Sequence, residues 1–275
     1  MNTTLNPLLK IQNLRIGVRS SSGVKELVRG VDLDIRTGEF FALVGESGSG
    51  KTITAQSVLG FLPQPAGELI SGTVFLNGKS LFELSEPERE ELRGKEVGLV
   101  FQEPGSALDP LMKIGKQLKE ALWLHGVSDR LDERIAEMVK RVELPERVLN
   151  AWPHELSGGM AQRTAIARSL VQDPEILLLD EPFGQLDELT REHMGQELLR
   201  IWAKAHKTIL MVTHSIQEAV FLADRVLVLT HRPASLCLDL PIALPRPRLP
   251  QLRYTSSFAE FAGELHAALL KERNA

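Results

Sequence analysis

The stretch FFALVGESGSGKT (residues 40–52) decides the fold of this chain. Its apolar run, 40–44, is typical of a strand that is buried on both faces. The segment that follows, 45–52, fits the phosphate-binding pattern G-x-x-x-x-G-K-[ST], and a helical pattern comes after it. The sequence therefore predicts a buried strand, a phosphate-binding loop and a helix, in that order.

Phosphate binding is the chemistry that this loop predicts. Its glycines let the backbone curl so that several N–H groups point at phosphate oxygens, and the helix adds its positive N-terminal end. We expect Lys51 to bridge the β- and γ-phosphates of ATP and Thr52 to hold Mg²⁺. The residues predicted to contact the nucleotide are Gly45, Glu46, Ser47, Gly48, Ser49, Gly50, Lys51 and Thr52.

A second apolar run ends in two carboxylates, in ILLLDEP (176–182). Asp180 stands at the end of the predicted strand, where a carboxylate can reach Mg²⁺ directly or through water. Glu181 is predicted to act on the attacking water, as general base or as orienting group. Asp-Glu-Pro alone also fits an ordinary exit from a strand, but the phosphate loop upstream favours a metal site.

The segment LSGGMAQ (156–162) is the most discriminating element. A Ser-Gly-Gly turn at the start of a long helix predicts a second anion site, although it also fits a helix cap without a ligand. Here the sequence, over about 8–230, resembles the ABC ATPase family, whose signature motif is LSGGQ or LSGGM-x-Q. The resemblance implies that one subunit completes the ATP site of another through Ser157, Gly158, Gly159 and Gln162.

The resemblance implies further site residues. Gln102 matches the Q-loop glutamine, which senses Mg²⁺ and the γ-phosphate and is counted with the metal ligands, and Asp187 matches the D-loop aspartate at the dimer interface. His214 matches the switch histidine that contacts the γ-phosphate, although a histidine at a strand end is more often structural. Val18 stands where the family has an aromatic residue on adenine, so we expect weaker base stacking.

Composition limits the classes of function. The chain has 275 residues, of which 43% are hydrophobic and 25% charged, so it can bury a large core. A net charge of −4 without a long basic run predicts no nucleic-acid surface. The single cysteine, Cys237, favours a reducing compartment. We recognise no secretory signal, and no apolar run approaches the roughly 18–20 residues of a membrane span.

Hydrophobic periodicity predicts an α/β fold whose first stretch is strands and whose middle is an inserted α-helical subdomain. The phosphate loop and the family resemblance imply a P-loop NTPase (RecA-like) core with an N-terminal antiparallel β subdomain. We expect 1–102 to hold the β subdomain and the first part of the core, and 103–170 the helical subdomain with the signature motif. The second part of the core follows at 171–232. A C-terminal extension, 233–275, has a Pro-rich linker and an amphipathic helix.

Local signals predict details of the helices. Asp129 is a predicted cap for a helix whose apolar face comprises Ile135, Met138, Val139 and Val142. Ser257 and Glu260 have the spacing of a capping box at the last helix. The charged stretch 83–93 is predicted to be solvated.

Together these features predict the ATP-hydrolysing subunit of an ABC importer. The resemblance implies a nucleotide-sandwich dimer with a second copy or a homologous ATPase subunit, at the cytoplasmic face of the inner membrane. Its other partners are separate permease chains and, indirectly, a solute-binding protein. A soluble ABC ATPase outside transport is the alternative; such proteins usually carry a second cassette, a coiled-coil insertion or cluster cysteines, which we do not find. A role in export in place of import is a further alternative.

The sequence points to two classes of transported solute. The region 97–122 resembles importers of peptides and nickel, whereas DEPFGQLDELTR (180–191) and LPRPR (244–248) are similar to importers of nitrate, sulfonates and taurine. A peptide-type C-terminal extension with cysteines is not recognised. We therefore expect the nitrate, sulfonate and taurine group, with peptide or nickel uptake as the alternative.

Overall fold

The computed structural model describes residues 7–102, 105, 107–184, 186–205 and 207–273. Glu103, Pro104 and Gln185, which belong to the motifs quoted above, lie outside the described residues. The chain divides into two compact units, Met1–Glu90 with Thr208–Ala275, and Glu91–Lys207. In the described part of the chain, every helix is too short or too polar to cross a membrane.

The strands are β1 (Leu9–Ser20), β2 (Gly23–Ile35), β3 (Phe40–Val44), β4 (Gly67–Leu76), β5 (Lys79–Ser80), β6 (Val97–Val100), β7 (Ile176–Asp180), β8 (Thr208–Thr213), β9 (Arg225–Leu229) and β10 (Leu236–Pro241). The helices are α1 (Lys51–Gln56), α2 (Glu86–Lys95), α3 (Ile114–Leu124), α4 (Leu131–Arg141), α5 (Gly158–Leu170), α6 (Glu188–Ala205), α7 (Ile216–Leu222) and α8 (Ser256–Arg273).

An antiparallel sheet of order β2-β1-β4-β5 forms one layer of the first unit. On β1, side chains alternate as the sequence predicted: Leu9, Ile11, Leu14 and Ile16 are buried, and Lys10 is exposed. One face of the sheet is therefore apolar and covers a core. The prediction of an N-terminal antiparallel β subdomain is confirmed.

The second sheet of this unit positions the phosphate loop. β3 lies between β9 and β8 and is parallel to both, and all five of its residues are buried, as the apolar run predicted. β10 pairs antiparallel with β9 at the edge. The sequence analysis did not predict β10, because Pro241 and the prolines that follow it resemble an extended linker, although Leu236, Leu238 and Leu240 alternate as in a strand.

Arg248 anchors the C-terminal extension to this sheet layer. Its side chain is buried, and Nη1 donates to the carbonyl oxygens of Val220, Phe221 and Ala223, at 3.1, 3.1 and 2.6 Å, at the C-terminal end of α7. Burial lowers the pKa of Arg248 to about 10. The unpaired carbonyls that end α7 thus receive a charged donor from the Pro-rich segment.

The second unit combines a parallel strand pair with helices. β6 and β7 are parallel, with Val100 opposite Leu179. The predicted apolar face of α4 is buried, at Ile135, Met138 and Val139, with Val142 just beyond the helix. Within this unit α5 packs on β6, where Ser169 Oγ donates to the carbonyl oxygen of Leu99 at 2.7 Å. The domain boundaries at 102/103 and 170/171 stay a prediction.

Two local predictions are corrected, and a third is incomplete. The N-cap of α4 is Arg130 in a left-handed conformation, so Asp129 is not the capping residue. The amide of Phe258 donates to Oγ1 of Thr255 at 3.3 Å, so Thr255 caps the last helix in place of Ser257. The charged stretch 83–93 has no buried side chain, as predicted, but it contains most of α2, which apolar periodicity could not reveal.

Candidate functional site

The phosphate loop follows β3 and leads into α1, as predicted. Gly48 and Gly50 have φ of +78° and +89°, in the left-handed region that glycine adopts without strain. A Cβ at Gly45 would lie 2.6 Å from Oγ of Ser49 and 3.0 Å from the carbonyl oxygen of Leu229. The glycines are therefore required by the shape of the loop.

Lys51 lies under this loop and is 4% exposed. Its Nζ donates to the carbonyl oxygens of Gly45 at 2.9 Å and Glu46 at 2.8 Å. Oγ of Ser49 is fully buried and has no hydrogen-bond partner within the described residues. A buried ammonium group beneath a glycine-rich loop fits the binding of a phosphate, which accepts charge-assisted hydrogen bonds.

His214 stands at the same sheet edge as the phosphate loop. β8 pairs with β3 so that Thr213 is opposite Val44, and the next residues along the chain are His214 and Gly45. Parallel strands bring their carboxyl ends together, so both loops begin side by side within the first unit. The side chain of His214 is exposed at this edge.

A buried network holds the turn after β8, and sequence reasoning missed it. Oγ1 of Thr213 donates to Oε2 of Glu218 at 2.6 Å, and the amide of Ser215 donates to Oγ1 of Thr213 at 3.0 Å. The amide of Glu218 donates to Oγ of Ser215 at 3.3 Å. The S-x-x-E spacing of Ser215 and Glu218 is the signal that could have revealed this cap. The network surrounds the backbone that presents His214.

Val18 lies on β1, opposite Lys25 of β2 and Gly67 of β4, and is partly exposed. This places it towards the end of β1 where the chain turns into β2. Its contact with adenine stays a prediction.

In the second unit, the loops after β6 and β7 bring Gln102 and Glu181 together. Nε2 of Gln102 donates to Oε2 of Glu181 at 3.3 Å. Asp180 ends β7 and is only 6% exposed. Glu181 has φ of +45°, a left-handed conformation that costs a non-glycine residue about 1 kcal/mol or more and that is frequent at functional sites.

The predicted metal ligands offer oxygen donors that suit Mg²⁺. Asp180 provides a carboxylate, Thr52 a hydroxyl and Gln102 an amide oxygen. Within the described ranges, no group of three or more His, Cys, Asp or Glu residues forms a ready-made cation site. Thr52 belongs to the first unit and Asp180 and Gln102 to the second, and their joint binding of Mg²⁺ stays a prediction.

The signature segment opens α5 at the surface. Ser157 is the N-cap, and its Oγ accepts a hydrogen bond from the amide of Met160 at 3.4 Å. Ser157 and Gly158 are exposed, and a Cβ at Gly158 would meet only Leu186, at 3.8 Å. Gly159 is half-buried, with Sδ of Met194 3.5 Å from the position of a Cβ. The helix start is therefore open to a ligand.

Gln162 occupies a different face of α5. It is 1% exposed, and neither its amide nitrogen nor its amide oxygen has a partner in the part of the chain that the structure describes. Five positions separate it from Ser157, which is about 140° around the helix. We therefore leave Gln162 out of the proposed contacts to nucleotide.

Asp187 is the N-terminal cap of α6. Its Oδ1 accepts from the amide of Thr190 at 3.0 Å, and its Oδ2 from the hydroxyl of Thr190 at 2.6 Å. These hydrogen bonds lower the pKa of Asp187. The D-x-x-T spacing indicates this cap, which sequence reasoning did not consider; a role at a dimer interface stays a prediction.

A phosphate loop after a buried strand of a parallel sheet, with a buried lysine beneath it, defines the class of P-loop nucleotide-binding proteins. The model of the family described as ABC transporter matches residues 28–184. The chain belongs to this family. The predictions of an ABC-type ATP-binding chain and of its fold class are confirmed.

Two relatives illustrate the family. The chain is 37% identical to the oligopeptide transport ATP-binding protein OppD of Bacillus subtilis over 226 residues, which are 81% of this chain and 63% of that protein. It therefore spans less than two thirds of the length of OppD. It is 35% identical to the dipeptide transport ATP-binding protein DppD of the same organism over 229 residues, 82% of this chain and 68% of that protein.

A solved structure supports the fold. The ATP-binding cassette MJ0796, a dimer in a post-hydrolysis state bound to ADP and Pi, matches with a TM-score of 0.73 at 27% identity. The match covers 86% of this chain and 100% of that one.

Proposed function

We propose that this chain is the ATP-hydrolysing subunit of an ABC importer for peptides. The observation that carries the enzymatic part is the phosphate loop, in which the buried ammonium group of Lys51 lies 2.8–2.9 Å from two loop carbonyl oxygens. A buried cation beneath a glycine-rich loop is suited to the negative charge of a triphosphate. Hydrolysis of such a nucleotide depends mainly on positioning and charge neutralisation.

Each site residue has a proposed role in this reaction. Lys51 and the loop amides bind the phosphates. Thr52, Asp180 and Gln102 would hold Mg²⁺, which neutralises phosphate charge when bound. Glu181 orients or deprotonates the attacking water, and the amide of Gln102 holds its carboxylate. His214 is proposed to contact the γ-phosphate.

We propose that two copies, or this chain and a homologous subunit, share their ATP sites. The exposed start of α5, with Ser157, Gly158 and Gly159, would bind the ATP held by the phosphate loop of the other subunit. Asp187 is proposed to lie at the interface between the two subunits. The dimeric state of MJ0796 supports this proposal. Permease chains, and indirectly a solute-binding protein, are the other proposed partners, at the cytoplasmic face of the membrane.

Peptides are the proposed solute because the relatives OppD and DppD are named for oligopeptide and dipeptide transport. The expectation of nitrate, sulfonate or taurine uptake is unconfirmed, and the peptide alternative is better supported. The segments 180–191 and 244–248 keep the nitrate and sulfonate group as the second candidate.

The test is to purify the chain with its copurifying permease, reconstitute the complex with its binding protein, and measure phosphate release from Mg-ATP. Di- to pentapeptides, nitrate, taurine, an alkanesulfonate and Ni²⁺ are added in turn, and Lys51→Ala is the inactive control. Stimulation by peptides is expected. Stimulation only by nitrate or sulfonates would reverse the choice of solute, and ATPase activity in a chain that copurifies with no membrane protein would favour the soluble alternative.

A further inference from the structure

The turn between β9 and β10, residues 230–235, contacts the phosphate loop at two points within the first unit. Nε of Arg232 donates a hydrogen bond to the carbonyl oxygen of Gly48. Gly50 packs so closely on Ala234 that a Cβ at Gly50 would lie 3.0 Å from the Cβ of Ala234. The turn at 230–235 thus supports the phosphate loop at Gly48 and Gly50, although it lies outside all of the nucleotide-binding motifs.

This turn is itself anchored. The amide of Ala234 donates to the carbonyl oxygen of Leu27 at 2.9 Å, and the amide of Arg29 donates to the carbonyl oxygen of Ala234 at 2.7 Å. Within the turn, the amide of Ser235 donates to Oγ1 of Thr230 at 2.9 Å. Because backbone bonds to β2 hold it on one side, the turn presents Arg232 from a fixed support.

A continuous chain of hydrogen bonds joins Arg232 to Lys51. The peptide group between Gly48 and Ser49 makes a hydrogen bond at each end. Its carbonyl oxygen, from Gly48, accepts from Arg232. Its N–H, from Ser49, donates to the carbonyl oxygen of Glu46 at 3.1 Å. The same oxygen of Glu46 accepts from Nζ of Lys51 at 2.8 Å. Arg232 therefore reaches the phosphate-binding lysine through one peptide group and one carbonyl oxygen.

Glycine-rich loops lose conformational freedom when they bind a ligand, and a contact that orders the loop beforehand lowers that cost. Gly48 has φ of +78°, and a glycine has more backbone freedom to lose on ordering than any other residue. A guanidinium group makes a charge-assisted hydrogen bond, which is stronger than one between neutral groups. The bond from Arg232 acts on the peptide that follows this glycine.

We propose that Arg232 is a positioning residue for nucleotide binding, which orders the Gly48–Ser49 peptide and through it Glu46 and Lys51. This inference rests on the proposed function, in which the loop binds ATP. Arg232 acts on the loop and not on the reacting atoms, so its loss affects affinity for ATP before it affects the stability of the fold.

The test is titration calorimetry of Mg-ATP into the full chain, together with thermal melting with and without nucleotide. Arg232→Ala is expected to raise the Kd for ATP about three- to tenfold, the range for one lost hydrogen bond, and to reduce the ATP-induced rise in Tm. Its Tm without nucleotide should stay within about 2 °C of the wild type. His231→Ala, at the exposed neighbouring position, is the matched control and should match the wild type in both measurements.

An unchanged Kd for Arg232→Ala would overturn the inference. A higher Kd accompanied by a large fall in Tm without nucleotide would also overturn it, because Arg232 would then merely stabilise the fold. Failure of the wild-type chain to bind ATP, or equal binding by Lys51→Ala, would instead refute the proposed function and with it this inference. Both the proposed function and this inference are supported if Arg232→Ala binds ATP with a higher Kd at an unchanged Tm, His231→Ala binds like the wild type, and Lys51→Ala no longer binds.

Discussion

The side-chain amide of Gln102 donates a hydrogen bond to the carboxylate of Glu181, with 3.3 Å between Nε2 and Oε2. Both residues follow neighbouring parallel strands, in which Val100 lies opposite Leu179. The contact joins a residue assigned to sensing the γ-phosphate to the residue assigned to the attacking water. This hydrogen bond orients the carboxylate.

Gln102→Ala removes this orienting hydrogen bond. We expect kcat for ATP hydrolysis in the permease complex to fall about tenfold, because a general base must be held within hydrogen-bond reach of its water. The Kd for ATP, measured by calorimetry on the isolated chain without Mg²⁺, should change less than about threefold, because Gln102 is proposed to act through Mg²⁺ and Glu181. Equal kcat in Gln102→Ala and wild type would contradict the assigned contact.

Thr213→Val keeps the shape of the side chain but removes the hydroxyl that donates to Glu218 at 2.6 Å. Because the carboxylate of Glu218 is buried, the free energy of unfolding should fall by about 1–3 kcal/mol. Urea denaturation measures this change. Thr73→Val, at a half-buried threonine on β4, is the control; a loss no larger than in Thr73→Val would show that the network contributes little.

Thr190→Val removes the hydroxyl donor that contributes most to the low pKa of Asp187. The pKa of Asp187 should then rise towards its ordinary value of 3.8. Since the folded pKa is depressed, the stability that the cap contributes is present above the unfolded pKa and is lost as the pH falls through the folded pKa. Carboxyl NMR titration of both proteins measures the shift, and an identical pKa would contradict the cap.

Arg248→Met replaces a buried charged donor by an apolar side chain of similar length. We expect a loss of about 2–4 kcal/mol in the free energy of unfolding, because three carbonyl oxygens at the end of α7 lose their donor. Denaturant unfolding measures it, with Arg134→Met on the exposed side of α4 as control. Equal stability of the two variants would mean that water replaces the guanidinium group.

Contiguous patterns account for what the sequence predicted well. An unbroken apolar run next to glycines predicts the strand and loop at 40–52, and such a run next to carboxylates predicts the strand that ends at Asp180. The position of Ser157 at a helix start follows from the same kind of local signal.

Contacts between distant segments were beyond the sequence. Arg232 and Gly48 are separated by 184 positions, and no spacing rule connects them. β10 pairs with β9 at the edge of the sheet. Gln162 belongs to the signature motif, yet its place on the buried side of α5 depends on which face packs inward. In each case the tertiary arrangement decides the outcome.

Lys51 and the phosphate loop around it are proposed to bind the phosphates of ATP and so to make hydrolysis possible. This proposal is tested most directly by the rate of phosphate release from Mg-ATP in the reconstituted permease complex, compared between wild type, Lys51→Ala and the exposed control Lys10→Ala. We expect the rate to fall about 100-fold or more in Lys51→Ala, which corresponds to about 3 kcal/mol of lost transition-state stabilisation, and to stay unchanged in Lys10→Ala. Wild-type turnover in a folded Lys51→Ala complex would contradict this proposal.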